Sequence, residues 1–190
     1  FANPDDLQNM ESIPLNHPIS VTVPGAVAGW IELSKKYGNL KIEEILDLGI
    51  ELCHEGFEIN EELYNSLNLH KEELSGQASG YGFYRDNQPF ETGKMIRRPQ
   101  LGKTLELLKR NGLEYFYDSD ITKSISSSVN GILSYDDLKN FKAEWKKPLH
   151  SKIYGFDGWT SPPSTQGYLT LSTLKAIEML GAEHDDLHRV

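Results

Sequence analysis

Along most of the chain apolar residues recur every three to four positions, and at two places that period shortens to two. Val21 and Val23 flank Thr22 in period two, so "SVTVP" predicts a short extended arm running into Pro24. Beyond it Ala26, Trp30, Leu33 and Tyr37 fall at helical spacing, with Pro24-Gly25 at the start and Gly38 at the stop. A second amphipathic stretch sets Ile42, Ile45, Leu46, Gly49, Leu52 and Cys53 on one face and Glu43, Glu44 and Asp47 on the other, closed by Gly56. Asn60 is placed to cap a third helix carrying Leu63, Leu67 and Leu74.

Residues 75–99, "SGQASGYGFYRDNQPFETGKMIRRP", break the period with Gly, Ser, Asn and Pro and read as an irregular excursion, with a short hairpin at Asp86-Asn87. Helical spacing returns at Leu101, Leu105 and Leu108, stopped near Gly112, and again at Ile121, Ile125 and Val129 behind a Ser119 cap. In "SYDDLKNF" Ser134 and Asp137 form a capping pair. Leu149, Ile153 and "GFDGWTSPP" then predict two strands joined through Gly155, and Leu171, Leu174, Ile177 and Leu180 a last helix. The expectation is an α+β chain, mainly helical over about 24–145, with two antiparallel strands over about 147–161 and a final helix over about 166–180.

Composition narrows the function. A net charge of -9 argues against a nucleic-acid partner or an anionic membrane, and no run of basic residues, Arg97-Arg98 included, is longer than two. No apolar run approaches the roughly twenty residues of a membrane span, so no insertion is expected in this segment. One cysteine, Cys53, excludes an intrachain disulfide framework. Phe1 is not a methionine, no signal pattern precedes the first helix, and "GAEHDDLHRV" follows the last one without a terminator. Residues 1–190 are therefore read as part of a single domain of a longer protein.

Isolated residues suggest chemistry that their context withdraws. "HDDLH" spaces His184 and His188 as metal ligands on a helix, but it lacks a third distant ligand in a polar tail. Cys53 beside His54 suggests a thiolate, yet its place on an apolar face makes it a small buried hydrophobe. Trp30, Tyr37 and Phe57 read as core rather than as a stacking set. Glu43, Glu44, Asp47 and Glu51 form a wet face, not an acid/base pair, and "GQASGYG" has no phosphate-loop spacing. No cofactor is implied.

The order of segments is more specific than any one of them. "VTVPGAVAGWIELSKKYGNLKIEEILDLGIELCHEGFEIN", "GKTLELLKRNGLEYFY" and "LSYDDLKNFKAEWKKPLHSKIYGFDGWTSPPSTQG" occur in succession. This succession resembles γ-glutamyltranspeptidases, in which a V-P-G-x-V-A-G turn opens a helix and a P-P-P-S-S-G-G run follows a strand pair. The likeness extends from about Ser20 to Leu180. It implies the large-subunit part of a four-layer αββα N-terminal-nucleophile hydrolase, made as a precursor that cleaves itself. A threonine heading the small subunit would attack the γ-amide of glutathione or another γ-glutamyl compound, with its own α-amine as base. The partners so implied are that small subunit and a small γ-glutamyl substrate.

The catalytic groups of that family do not map onto these positions. Position 1 is Phe, "YLTLST" lies within a helical pattern, and the first arginine is Arg85, far beyond the V-P-G turn where the family carries a carboxylate clamp upstream. The segment alone is expected to be inactive. In "SPPSTQG", Ser161 stands for a proline, Thr165 for a serine and Gln166 for a glycine. Ser164, Thr165 and Gly167 are candidates to line or brace the substrate region; the competing reading is a helix cap from Ser164 or Thr165. Two other functions fit the same residues: a related acylase acting on cephalosporin side chains or poly-γ-glutamate, and a non-catalytic helical binding module. Apolar surface near Ile153 and Trp159 is expected to be bare in the excised segment.

Overall fold

The extended arm and the proline-glycine pair do what their backbone preferences dictate. Val21 is extended (φ -81°, ψ 125°), and α1 begins directly after Gly25 as Ala26–Tyr37. The computed structural model describes residues 10–13, 17–77, 80 and 82–181. The chain divides into two units, one ending at Ala143 and one beginning at Glu144.

The first unit continues with α2 (Ile42–Glu55), β1 (Phe57–Glu58), α3 (Glu61–Leu69), α4 (Lys71–Leu74), β2 (Tyr84–Arg85), β3 (Gln88–Pro89) and β4 (Met95–Ile96). After these come α5 (Pro99–Asn111), a 3-10 turn at Leu113–Phe116, α6 (Asp120–Ser128) and α7 (Tyr135–Lys139). The caps fall where side-chain chemistry places them. Asn60 accepts from the Leu63 N–H at 2.8 Å, Ser119 and Thr122 form a capping box, and so do Ser134 and Asp137.

Val27, Ala28, Leu46, Leu108, Leu113 and Tyr117 form the core of this unit. Helices α2 and α5 pack closely because Gly102 has no side chain. A Cβ there would stand 2.8 Å from His54 Nε2 and 3.1 Å from Cys53 Cβ. Across the same contact His54 Nε2 lies 2.9 Å from Glu106 Oε1, and Lys109 pairs with Asp47. Cys53 is buried in that seam, as its spacing predicts.

The first helix corrects the expected face. Trp30, Leu33 and Tyr37 are exposed, and Ile45 and Leu52 of α2 are exposed as well. Val27 and Ala28 are the buried residues, so the stripe that seats α1 in this unit lies beside the one read from the sequence. Both stripes are apolar, and periodicity alone does not say which of two apolar stripes meets the core. Trp30 and Tyr37 are therefore surface residues of this unit, and Phe57 is half-buried in β1.

Within residues 75–99 the backbone is partly pinned. β2 and β3 form a hairpin whose turn residues Asp86 and Asn87 both have positive φ (51° and 60°), as a two-residue I′ turn demands. β4 pairs antiparallel with β1, setting Phe57 opposite Ile96.

The second unit is one hairpin and one helix. β5 (Leu149–Ile153) and β6 (Phe156–Thr160) pair antiparallel, with Leu149 opposite Thr160 and Ile153 opposite Phe156. Tyr154 (φ 48°) and Gly155 (φ 82°) make the turn. α8 (Gly167–Met179) covers the face carrying Ser151, Ile153 and Gly158, where a Cβ on Gly158 would lie 2.8 Å from Leu171 Cδ2. Ile153 is thus only 7% exposed, correcting the expectation that it is bare. Trp159 (61%) and Phe156 (80%) are bare. On the outer face the His150 ring stacks on Trp159 with centroids 4.1 Å apart, and its Nε2 lies 2.7 Å from Asp157 Oδ1.

Candidate functional site

The candidate loop joins β6 to α8. Pro162 and Pro163 cannot donate to a ladder and end the strand. Ser164 and Thr165 are exposed, and the Pro163–Ser164 peptide is cis. The Thr165 hydroxyl stands 3.1 Å from the carbonyl of Ser161 and 3.2 Å from that of Pro162. Its proton is therefore committed to a backbone acceptor, which suits a loop brace rather than a nucleophile.

The capping alternative is corrected here. The N-cap of α8 is Gln166, and no side chain caps the helix. The Thr165 hydroxyl accepts from none of the free helix N–H groups and is turned back into the loop. Gly167 has a packing reason to be glycine, since a Cβ there would stand 1.7 Å from Thr160 Oγ1 and 2.9 Å from Thr160 Cβ. The structure thus brings Thr165 against Ser161 and Pro162, and Gly167 against Thr160, within one loop.

At the far end of α8 two side chains hold the β5–β6 turn. Glu178 Oε1 accepts from the Tyr154 N–H at 2.6 Å, and Lys175 Nζ donates to the Lys152 carbonyl at 2.9 Å and to Glu178 Oε2 at 2.5 Å. The lysine first, and then the Tyr154 N–H, hold the Glu178 carboxyl below the usual glutamate range.

Sequence reasoning missed the residue that organises the proline-glycine turn. Tyr117 donates its hydroxyl to the Pro24 carbonyl at 2.6 Å and accepts the Ala28 N–H at 3.0 Å. One side chain, 89 residues away in sequence, thereby binds one of the helix N–H groups that has no partner inside the helix. The ring is set by Phe116 at 4.9 Å, edge to face, and by Phe141 at 6.0 Å. Behind it the buried Thr122 hydroxyl donates to the Phe116 carbonyl at 3.0 Å and accepts the Ser119 N–H at 3.0 Å. Burial raises the Tyr117 phenol above its ordinary value, although the Ala28 N–H works the other way. The available signal was the "FY" pair at Phe116-Tyr117, which fixes no distance.

Among the described residues no group of three or more His, Cys, Asp or Glu side chains is placed to hold a metal ion. The pair His184 and His188 lies outside the described residues. No helix among the described residues is long and apolar enough to cross a membrane.

Comparison with known proteins gives a consistent result. The family profile described as Gamma-glutamyltranspeptidase matches residues 1–190. The capsule biosynthesis protein CapD proenzyme of Bacillus anthracis is 31% identical over 163 residues, covering 86% of this chain and 30% of that protein. The glutathione hydrolase proenzyme of Bacillus subtilis is 26% identical over 196 residues, covering 98% of this chain and 33% of that protein. A crystal structure of the Bacillus anthracis transpeptidase CapD superposes with a TM-score of 0.78 at 29% identity, covering 94% of this chain and 61% of that one. Cephalosporin acylase from Bacillus halodurans gives 0.78 at 25% identity, covering 90% and 34%. The chain spans about a third of the length of the curated relatives it matches. These neighbours bear out the α+β, N-terminal-nucleophile hydrolase architecture implied by the sequence resemblance. With a family profile matched from end to end and a relative 31% identical over 86% of this chain, the chain belongs to the Gamma-glutamyltranspeptidase family.

Proposed function

We propose that this chain is the large-subunit scaffold of an enzyme that cleaves γ-glutamyl amides such as glutathione and passes the acyl group to water or an amino acid. The observation that carries the reading is the end-to-end family match together with relatives whose names call them proenzymes. In this reading the precursor cleaves itself, and the small subunit begins with a threonine. The hydroxyl of that threonine adds to the γ-carbonyl while its α-amine takes the proton. The α-ammonium hands that proton to the substrate nitrogen as the γ-amide C–N bond breaks, the freed amine departs, a γ-glutamyl ester remains, and water or an acceptor amine attacks it in turn. Backbone donors carry the oxyanion.

The nucleophile belongs to the rest of the protein. Thr170 and Thr173 lie inside α8, where their nitrogens are peptide-bonded and cannot act as a free amine base. The contribution of these residues is architectural. Thr165 and Gly167 hold the loop shape, Ser164 is exposed between them and the prolines, and the bare Trp159 and Phe156 offer apolar surface to the remainder of the fold. Residues 1–190 form part of a single domain completed by the small subunit.

A second reading changes only the substrate. The CapD and cephalosporin acylase likenesses, with Ser161, Thr165 and Gln166 departing from the family loop, favour a related acylase acting on poly-γ-glutamate or cephalosporin side chains. Full-length enzyme given a γ-glutamyl anilide, a glutaryl amide and a γ-linked oligoglutamate separates the two. Preference for the anilide supports the first reading, preference for either other substrate the second, and turnover of none refutes both.

A further inference from the structure

Asparagine is followed by glycine twice in this chain, at Asn111-Gly112 and at Asn130-Gly131. Such a pair can react with itself in water. Hydroxide takes the proton of the glycine N–H, and the nitrogen attacks the asparagine Cγ, with no Cβ on the glycine to hinder it. A five-membered succinimide closes as the Cγ–Nδ2 bond breaks, and ammonia leaves with a proton from water. A second water opens the ring at either carbonyl, giving aspartate or isoaspartate. No oxidant or cofactor takes part, so local structure decides which pair reacts.

Both pairs end a helix, and they end it differently. Asn130 follows α6 in the left-handed region (φ 54°), and its N–H donates to the Ser127 carbonyl at 3.1 Å. The Gly131 N–H donates to the Ser126 carbonyl at 2.9 Å, and these two bonds together complete a Schellman motif. The Ile132 N–H continues the lock to the Val129 carbonyl at 3.1 Å, next to the buried Leu133. The nitrogen that must attack is held there with its proton engaged. At the end of α5 the Gly112 N–H has no acceptor among the described residues. The Asn111 side chain is restrained by one exposed bond, from its Nδ2 to the Leu107 carbonyl at 2.9 Å.

Exposure alone would choose the other pair, since Gly131 is exposed and Gly112 half-buried. Hydrogen bonding outweighs it. Hydroxide reaches a half-buried amide, whereas an engaged proton leaves only when the helix cap opens. We propose that the folded chain deamidates at Asn111 and that the cap of α6 protects Asn130. The product cannot donate to the Leu107 carbonyl, and its carboxylate stands at the negative end of the α5 dipole. Isoaspartate also lengthens the main chain two residues before Leu113, a core residue only 4% exposed. Neither asparagine lies in the Ser161–Gly167 loop, and the proposal does not depend on the catalytic reading.

The test ages full-length protein in warm, mildly alkaline buffer, once folded and once in urea, and follows both sites by peptide mass spectrometry. In urea the two pairs should react at equal rates, because the dipeptide is the same. In the folded protein Asn111 should react roughly fivefold faster than Asn130 or more, the effect of about one hydrogen bond. Amide exchange on fresh protein should be fast at Gly112 and slow at Gly131, a readout that needs neither ageing nor a variant. The proposal is overturned if folded Asn130 reacts as fast as Asn111, or if folded Asn111 stays unmodified long after the urea sample has fully converted. It is also overturned if the preference for Asn111 is as large in urea, or if Gly131 exchanges as fast as Gly112.

Discussion

Replacing Tyr117 with Phe removes one oxygen and tests how the proline-glycine turn is held. That oxygen makes two hydrogen bonds, to the Pro24 carbonyl at 2.6 Å and from the Ala28 N–H at 3.0 Å. Pro24 is half-buried, so water can replace the first bond, and its loss costs about 1 kcal/mol. Ala28 is 5% exposed, so its N–H is left buried without a partner, at a cost of about 1–3 kcal/mol. The ring, with its contacts to Phe116 and Phe141, stays. The expected destabilisation is therefore about 2–4 kcal/mol, read from the urea unfolding midpoint of the full-length protein at unchanged slope. Native-state hydrogen exchange should show lost protection at the Ala28 amide. The contrasting variant is Tyr135→Phe, whose hydroxyl bonds the exposed Asp118 and should matter much less. A Tyr117→Phe change within about 0.5 kcal/mol of the parent, with Ala28 still protected, would refute the reasoning.

Other expectations follow from the same geometry. Gly167→Ala sets a Cβ against the stiff, β-branched Thr160 and should cost about 1–3 kcal/mol, while Gly167→Ala combined with Thr160→Gly should recover part of it, both read by thermal unfolding. Because Glu178 is held below its ordinary value, its contribution is complete above the usual glutamate range near 4 and is lost as pH falls through the depressed folded value. The Tyr154 amide resonance should shift over that acidic window, and Glu178→Gln should flatten the profile. Asn60→Ala should weaken α3 by about 1 kcal/mol, seen as faster exchange at the Leu63 amide. Excised residues 1–190 should bind a hydrophobic dye through Trp30, Leu33, Phe156 and Trp159 and melt over a broad range; cooperative melting with little dye bound would contradict this.

Local chemistry was the legible part of this sequence. Ser119, Ser134 and Asn60 cap helices because a short polar side chain reaches only its own helix, and Asp86-Asn87 turns a hairpin because both residues tolerate positive φ. Each of those decisions is made within four residues. What failed was set at long range. The stripe Trp30-Leu33-Tyr37 is as apolar as the one that seats α1, and only the placement of the Leu113–Phe116 turn and Tyr117 decides between them. Ile153 is covered because α8 folds back over Gly158, a return that strand periodicity does not encode. At the candidate loop, Thr165 has the right chemistry for a cap, but its hydroxyl reaches the Ser161 and Pro162 carbonyls first. The overall architecture was legible only through the succession of segments, because no single motif carries it.

The most direct measurement is the fate of freshly made full-length polypeptide. Incubated without protease, it should divide into two chains, the smaller with threonine at its new amino terminus. Substituting that threonine by alanine should leave one uncut chain and abolish glutamate release from a γ-glutamyl anilide. A precursor that stays whole, or one whose uncut form releases glutamate at the same rate, would contradict the assignment of residues 1–190 as the scaffold for a nucleophile created by self-cleavage.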